Sequence, residues 1–497
     1  MAEAMRPGLS VEQCVTRLKR YHYAFKRLHQ IFTARITAEP LYELKMGFSH
    51  HSHLCAEHAT ALRQRVGEMR EPPLGLEETP HAALEVFFDE ILAAPTTEEL
   101  VLGLYEKALP ALKAALEKHV AETNLLVDAP SVRLCRFALL ELADMVQYGA
   151  SVTASLATQA ARQNSAGWLR LLDDCLAIAG GLHGADTLPT VGLPTQSANV
   201  PSPMASPIGW ERENDRQFYG ETEGSIQNQS TKQIERHYSA TPYKYDPVPR
   251  RDERFPDPYN MGVNAEVFLY DSKYPPQPKT LMMFYKRLRE IDVPEMMASI
   301  ISETSNKPWA YYRDMTRQLW DEARHAMMGE AGFANLEIDW PKQVMVNFTW
   351  SLALNTQLKA IERHAVLYFI EQGLMPRNGK RFEWEVGQSS GNPLAALFQD
   401  YDWADEVLHA KIGRDWYLKD FPSAHEAVQY GDRCWSRVLV DWAKWREHGL
   451  TEHRNWWPDL YRAACQHWAI EPDPKVLAYS TTYQEVRADL KAVSGSA

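Results

Sequence analysis

The chain has 497 residues, 45% hydrophobic and 24% charged, the balance of an ordinary globular protein long enough for two or three domains. Its net charge of −12 and the lack of a basic stripe argue against a nucleic-acid partner. No apolar run is long enough to span a bilayer, the Met1–Arg6 start lacks the apolar core of a signal peptide, and the six cysteines (14, 55, 135, 175, 434 and 465) form no C-x-x-C pair, so a cytoplasmic protein with reduced thiols and no membrane partner is expected.

Residues 1–182 read as an N-terminal helical domain. Apolar residues recur at spacings of three and four in segments 8–36, 39–70, 81–93, 97–122, 130–160 and 164–179, and Pro110 should kink or break the fourth. Residues 183–278 form a Pro/Ser-rich connecting segment. It retains aromatics such as Trp210, Phe218, Tyr219, Tyr243, Tyr245, Phe255, Tyr259 and Phe268, and disordered linkers are poor in these. Much of it is therefore expected to be ordered and draped over helices, with a mobile portion around 195–235.

Four long helical segments follow within 279–418: 279–305, 308–331, 341–373 and 394–418. Two hairpins joined by a crossover over Gly373–Asn392 would make a four-helix bundle. Residues 419–497 form a C-terminal helical extension, with helices at 424–448 and 456–468. Its Trp435, Trp442, Trp445, Trp456 and Trp457 should pack back on the bundle. The fold class is all-α. Eight of the fifteen Trp fall after residue 400, which favours a substantial core or an interface and leaves room for a homodimer.

Two stretches about eighty residues apart repeat one pattern, D-E-x-x-H-A-x-x-G: Asp321-Glu322-Ala323-Arg324-His325-Ala326-Met327-Met328-Gly329 and Asp405-Glu406-Val407-Leu408-His409-Ala410-Lys411-Ile412-Gly413. Glu and His at i and i+3 share one helix face, and a carboxylate presented with an imidazole binds first-row transition metals. A third E-x-x-H, Glu78-Thr79-Pro80-His81, has Pro inside it and reads as surface loop. In each repeat the Asp can accept a hydrogen bond from a ligating His and fix its tautomer. Ala326, Gly329, Ala410 and Gly413 are small residues that would clear a pocket beside a metal cluster.

A paired site needs one further Glu from each of the two other helices. Glu362 is preferred in the third helix, because Leu358, Val366 and Phe369 make its face apolar; Glu371, near the helix end, is the alternative. In the first helix, depth alone favours Glu290. Pro294, however, suggests a helix start or kink just before Glu295, and Met296, Met297, Ile300 and Ile301 follow it as an apolar stripe. Glu295 is preferred, with Glu290 the alternative, and Glu303 lies too near the turn. A further run, His50, His51, His53, Glu57 and His58 with Glu43 upstream, reads as a His-rich, partly exposed helix; only Glu141 and Asp144 could answer it as metal ligands.

Asp321-Glu322-Ala323-Arg324-His325 resembles the D-E-x-R-H motif of bacterial di-iron monooxygenases and related ferritin-like proteins. The second copy departs from it, with Leu408 in place of the Arg. The resemblance covers roughly residues 279–418 and implies a ferritin-like four-helix bundle whose two metals are held by Glu295, Glu322, His325, Glu362, Glu406 and His409, backed by Asp321 and Asp405. It implies a non-haem cofactor of two Fe, with Mn an alternative occupant, and an O₂-dependent oxidase or oxygenase acting on a small organic substrate. Ferritin-like metal storage, or a structural protein without turnover, is the alternative; storage is disfavoured because over 350 residues lie outside the bundle. No Gly-rich dinucleotide fingerprint is present, so reducing equivalents would come from an external electron donor or from the substrate.

Overall fold

The computed structural model describes residues 3–69, 75–184, 234–376, 379–442 and 444–486, and all regular structure among these is helical. The expected mobile stretch at 195–235, with Trp210, Phe218 and Tyr219, lies almost wholly outside the described residues. The chain forms two compact units: residues 1–28, 57–243 and 305–309 make the first, and 29–56, 244–304 and 310–497 make the second. These units cut across the boundaries expected at 182, 278 and 418. Helices α1 (Val11–Ala38) and α2 (Tyr42–Glu68) each run through both units.

In the first unit, α3 (Ala82–Leu92), α4 (Leu109–Glu122), α5 (Ala129–Leu156) and α6 (Ala166–Ile178) surround a core that includes Phe25, Phe87, Leu104, Leu112 and Leu142. Pro110 does not break its segment. The seven residues Leu102–Ala108 wind as a π-helix, and the Leu109 N–H reaches back to the Leu104 carbonyl. The wider turn absorbs the missing proline donor without ending the helix.

The second unit contains α7 (Pro276–Leu288), α8 (Val293–Glu303), α9 (Trp309–Asn335), α10 (Thr349–Gln357), α11 (Ala360–Gly373), α12 (Lys380–Ser389), α13 (Pro393–Trp416), α14 (Ala424–Trp442) and α15 (Trp457–Trp468). The C-terminal tryptophans pack inward: Trp456 lies 4.3 Å from Tyr285, Trp457 4.8 Å from Phe268, and Trp435 5.2 Å from Trp350, ring centre to ring centre. The described part of the connecting segment is ordered here, with Phe255 stacked on Trp340 and Phe268 fully buried.

Three expected segments differ in ways that matter for the site. The first, 279–305, is interrupted by a 3₁₀ turn over Arg289–Asp292. Pro294 cannot donate to the carbonyl of Glu290, and its ring crowds that carbonyl, so the backbone tightens there. The third, 341–373, is broken twice, leaving α10 and α11 separate. No Gly or Pro marks the second break. The buried Arg363 guanidinium makes it possible by donating to the carbonyls of Leu354, Asn355 and Leu358 at 3.2, 3.0 and 2.7 Å, which satisfies the open end of α10. The connection expected at 373–392 contains α12.

The glycines of the repeats do not make a pocket. A Cβ on Gly329 would lie 2.3 Å from the Leu288 nitrogen and 2.6 Å from the Phe284 carbonyl oxygen, and one on Gly413 would lie 2.4 Å from the Tyr368 ring. Gly329 is needed so that α9 and α7 can touch backbone to backbone. Gly329→Ala is therefore expected to destabilise the second unit by at least the overpacking range of about 1–3 kcal/mol, because backbone cannot step aside as a side chain can. Urea unfolding measures it; an unchanged midpoint would refute the contact.

Candidate metal centre

The two D-E-x-x-H repeats lie on α9 and α13, and the structure brings Glu322, His325, Glu406 and His409 together in the second unit, all buried. Two further carboxylates join them: Glu290 from the 3₁₀ turn and Glu371 from the last turn of α11. Two groups of potential ligand atoms result, Glu290–His325–Asp402–Glu406 and Glu322–Glu371–His409, each with its atoms within 4.8 Å of one another.

The geometry is nearly two-fold. His325 Nδ1 lies 3.3 Å from Glu290, 3.7 Å from Glu322 and 3.6 Å from Asp402. His409 Nδ1 lies 3.2 Å from Glu322, 3.5 Å from Glu406 and 3.9 Å from Glu371. The two imidazole centres are 5.8 Å apart. Glu322 turns Oε2 toward one imidazole and Oε1 toward the other. The aspartates act across the pair: His325 Nε2 meets Asp405 at 3.2 Å, and His409 Nε2 meets Asp321 at 3.4 Å. Each repeat thus orients the other repeat's histidine, and Arg324 ties Asp321 to Asp405, the latter at 2.7 Å.

Two expected ligands are not at this site. Glu295 is buried elsewhere, held by Lys45, by Arg251 at 2.6 and 2.7 Å on its two oxygens, and by the Ser351 hydroxyl at 2.6 Å. The 3₁₀ turn brings Glu290 inward in its place. Glu362 stands at the start of α11, accepting from the Lys359 backbone N–H at 2.9 Å and pairing with Arg437 at 3.0 Å. Glu362 and Glu371 are nine residues apart, about 900° of helix, so they point to opposite sides. With Glu371 inward, Glu362 faces out. The apolar neighbours Leu358 and Val366 misled because the helix of Glu362 starts at Ala360, which leaves Leu358 outside it.

The sequence reading also missed Asp402, Gln318, Lys380 and Arg287. Asp402 is four residues before Glu406 on the same stripe, a signal that was available. Its counterpart in the first repeat is Gln318, which donates to Glu371 at 3.2 Å. Asp402 is saturated by Lys380 at 2.9 and 3.0 Å, by Gln399 at 2.6 Å and by Arg287. Lys380 also meets Glu406 Oε1 at 2.8 Å, and Arg287 meets Glu290 Oε1 at 3.0 Å. Neither cation sits in any motif; α12 and α7 deliver them.

The ionisation of the cluster reflects this crowding. Burial opposes charge on His325, yet Asp405, Glu290 and Glu322 outweigh it and raise the imidazole to about 10. His409 is raised well above its ordinary value against the same burial, by Asp321, Glu322 and Glu406. Glu371 is pushed well above the carboxylate range by burial and then by the charges of Glu406 and Glu322. Burial also opposes charge on Glu406 and Glu290, but Lys380 foremost pulls the first well down, and Arg287 foremost holds the second at about 2. Positive charge is wanted where the two Nδ1 atoms point.

Neighbouring Asp292 is fully buried, and its Oδ1 makes no hydrogen bond while Oδ2 accepts from the Ser351 N–H at 2.9 Å. Burial, then the Glu295 charge, raise it to about 7. A raised carboxyl favours the protonated fold, so its contribution is full below the unfolded value near 4 and is lost as pH rises through about 7. Asp292→Asn should therefore raise the melting temperature more at about pH 8 than at about pH 4.5. Equal shifts at both would refute the burial account.

A cavity of about 250 Å³ opens beside the cluster, lined by Glu290, Glu322, Glu371 and Glu406, by further charged groups including Lys286, Arg289, Lys380 and Glu383, and by apolar groups including Leu367, Ile370, Trp435, Leu439 and Trp442. Ala326, Gly329, Ala410 and Gly413 do not line it. The His50–His58 run gathers no comparable ligand group among the described residues: His50 stacks on Trp320 at 4.4 Å, His51 is buried against Phe32 and held neutral, and His58 pairs with Glu141 at 2.7 Å.

No protein-family model matches the chain, and no curated protein or solved structure gives a significant match. No helix among the described residues is long and apolar enough to cross a membrane.

Proposed function

We propose that the chain is a ferritin-like di-iron oxidase or oxygenase acting on a small organic substrate, its metals held by Glu290, Glu322, His325, Glu371, Glu406 and His409. One observation carries this reading. His325 Nδ1, His409 Nδ1, Glu290 Oε2, Glu371 Oε2 and Glu406 Oε2 are buried without a well-formed hydrogen bond, some of them meeting one another in ion pairs such as His325–Glu290 at 3.3 Å and His409–Glu406 at 3.5 Å, and their side chains come from four chain segments. Buried polar atoms without a good hydrogen bond are costly, and carboxylates and imidazoles crowded together in this way are what bound cations would satisfy. Carboxylate and imidazole donors suit Fe or Mn. Asp402, already claimed by Lys380 and Arg287, is left as a support.

When bound, a reduced pair of irons supplies O₂ activation. The chain's own residues do the rest. Asp405 and Asp321 hold the imidazoles in the tautomer that offers Nδ1. Lys380 and Arg287 offset the excess of carboxylate charge, and Gln318 orients Glu371. Leu367, Ile370 and Trp442 would take the apolar body of a substrate.

Anaerobic titration with Fe(II) tests the reading. About two Fe per chain should bind, following the paired-site stoichiometry. A pulse of O₂ should then give one optical transient per two Fe, with decay quickened by a small apolar molecule. Mineralisation of hundreds of Fe per chain would make it a storage protein, and failure to bind Fe or Mn at all would end the proposal.

A further inference from the structure

The first unit holds a second group of metal-ligating side chains, independent of the one above: Cys14 on α1, His119 on α4 and Asp128 at the start of α5, all buried. We propose that these three residues form a mononuclear zinc site. Tetrahedral zinc with bonds of about 2.3 Å to sulfur and about 2.0 Å to nitrogen and oxygen sets ligand-to-ligand distances of about 3.5 Å for S···O and about 3.3 Å for N···O. Cys14 Sγ lies 3.5 Å from Asp128 Oδ2, and His119 Nε2 lies 3.3 Å from the same oxygen. The three ligand atoms lie within 4.8 Å of one another.

Asp128 behaves as a ligand would. It is the N-cap of α5, where an aspartate normally accepts from the first turn, yet its side chain makes no capping bond. Its Oδ1 is instead approached by Arg65 at 3.4 Å, and Arg65 is itself fixed by donating to the Ser131 hydroxyl at 3.0 Å. That arrangement leaves Oδ2 turned to Cys14 and His119, as a supporting residue orients a carboxylate for a metal. The Thr123 hydroxyl donates to Oδ2 at 3.0 Å and lies 3.9 Å from Cys14 Sγ. His119 Nδ1 makes no hydrogen bond, and the ring edge rests against Tyr21 at 5.7 Å. Three protein ligands of mixed S, N and O type, closed from solvent, suit zinc over the harder metals proposed for the second unit.

The test uses the full chain, stripped with a chelator and given Co(II) alone. The α9–α13 centre has no sulfur ligand, so only the Cys14 group can give a thiolate-to-cobalt charge-transfer band in the near ultraviolet. That band is expected in the wild type and should be lost in Cys14→Ser, with His119→Gln as a second variant. Zinc analysis should show one equivalent fewer in each, and added zinc should raise the melting temperature of the wild type more than that of either variant. Absence of the band in the wild type overturns the proposal whatever the variants do, and so does its persistence in Cys14→Ser. Either result would reduce the group to a hydrogen-bond network around Asp128.

Discussion

His409→Ala is expected to cut bound iron from about two per chain to one or fewer and to abolish the O₂-dependent transient, since the paired-site chemistry needs both metals. His409 Nδ1 faces Glu322, Glu406 and Glu371 at 3.2, 3.5 and 3.9 Å, and alanine offers nothing in its place. The metal-free protein should suffer as well. The imidazolium there offsets a crowd of buried carboxylates, and removing one partner of a buried charge pair costs about 3–5 kcal/mol. The distinctive expectation is a reversal. His409→Gln, which keeps volume and a donor, should recover part of the metal-free stability but not the second metal. Full iron content in both variants, read by metal analysis with helical circular dichroism as the folding control, would remove His409 from the centre.

A second pair of variants separates the two candidate glutamates of α11. Glu371→Gln should lose one of the two metals, because its carboxylate is buried, raised in pKa and left with Oε2 unpaired. Glu362→Gln should keep both metals and cost about 1 kcal/mol at most, the value of a helix-terminal contact, because it caps Lys359 and meets Arg437 outside the cluster. Glu290→Gln and Glu295→Gln should divide in the same way for metal content. Glu295→Gln, however, should destabilise the fold strongly by stranding Lys45 and Arg251. If the Glu362 and Glu295 variants lost metal and the other two kept it, the assignment drawn from the geometry would be wrong and the one drawn from the sequence right.

The repeats themselves were readable because their information is local. Glu322 and His325, like Glu406 and His409, sit one helical turn apart, and a period of 3.6 residues puts them on one face whatever surrounds the helix. The helical class of the chain, the Asp before each motif and the inward tryptophans of the C-terminal extension were readable for the same reason. Across the helices the sequence had less to say. Choosing between Glu290 and Glu295 required knowing how Pro294 would reshape the turn before it, as a kink of the helix or as 3₁₀ tightening at Glu290. Choosing between Glu371 and Glu362 required knowing that Arg363 would close the end of α10 and start a new helix at Ala360, an event driven by carbonyls that only tertiary packing buries.

Lys380, Arg287 and the exchange of Asp321 and Asp405 between repeats belong to the same class. Each joins residues from separate elements, at distances set by how helices dock. Periodicity in one segment specifies which face a side chain occupies, but not what the opposite helix places against it. The sequence alone determined the helical class and the two Glu–His pairs; the packing of α7, α9, α11, α12 and α13 decided where helices break and which carboxylates and cations gather around those pairs.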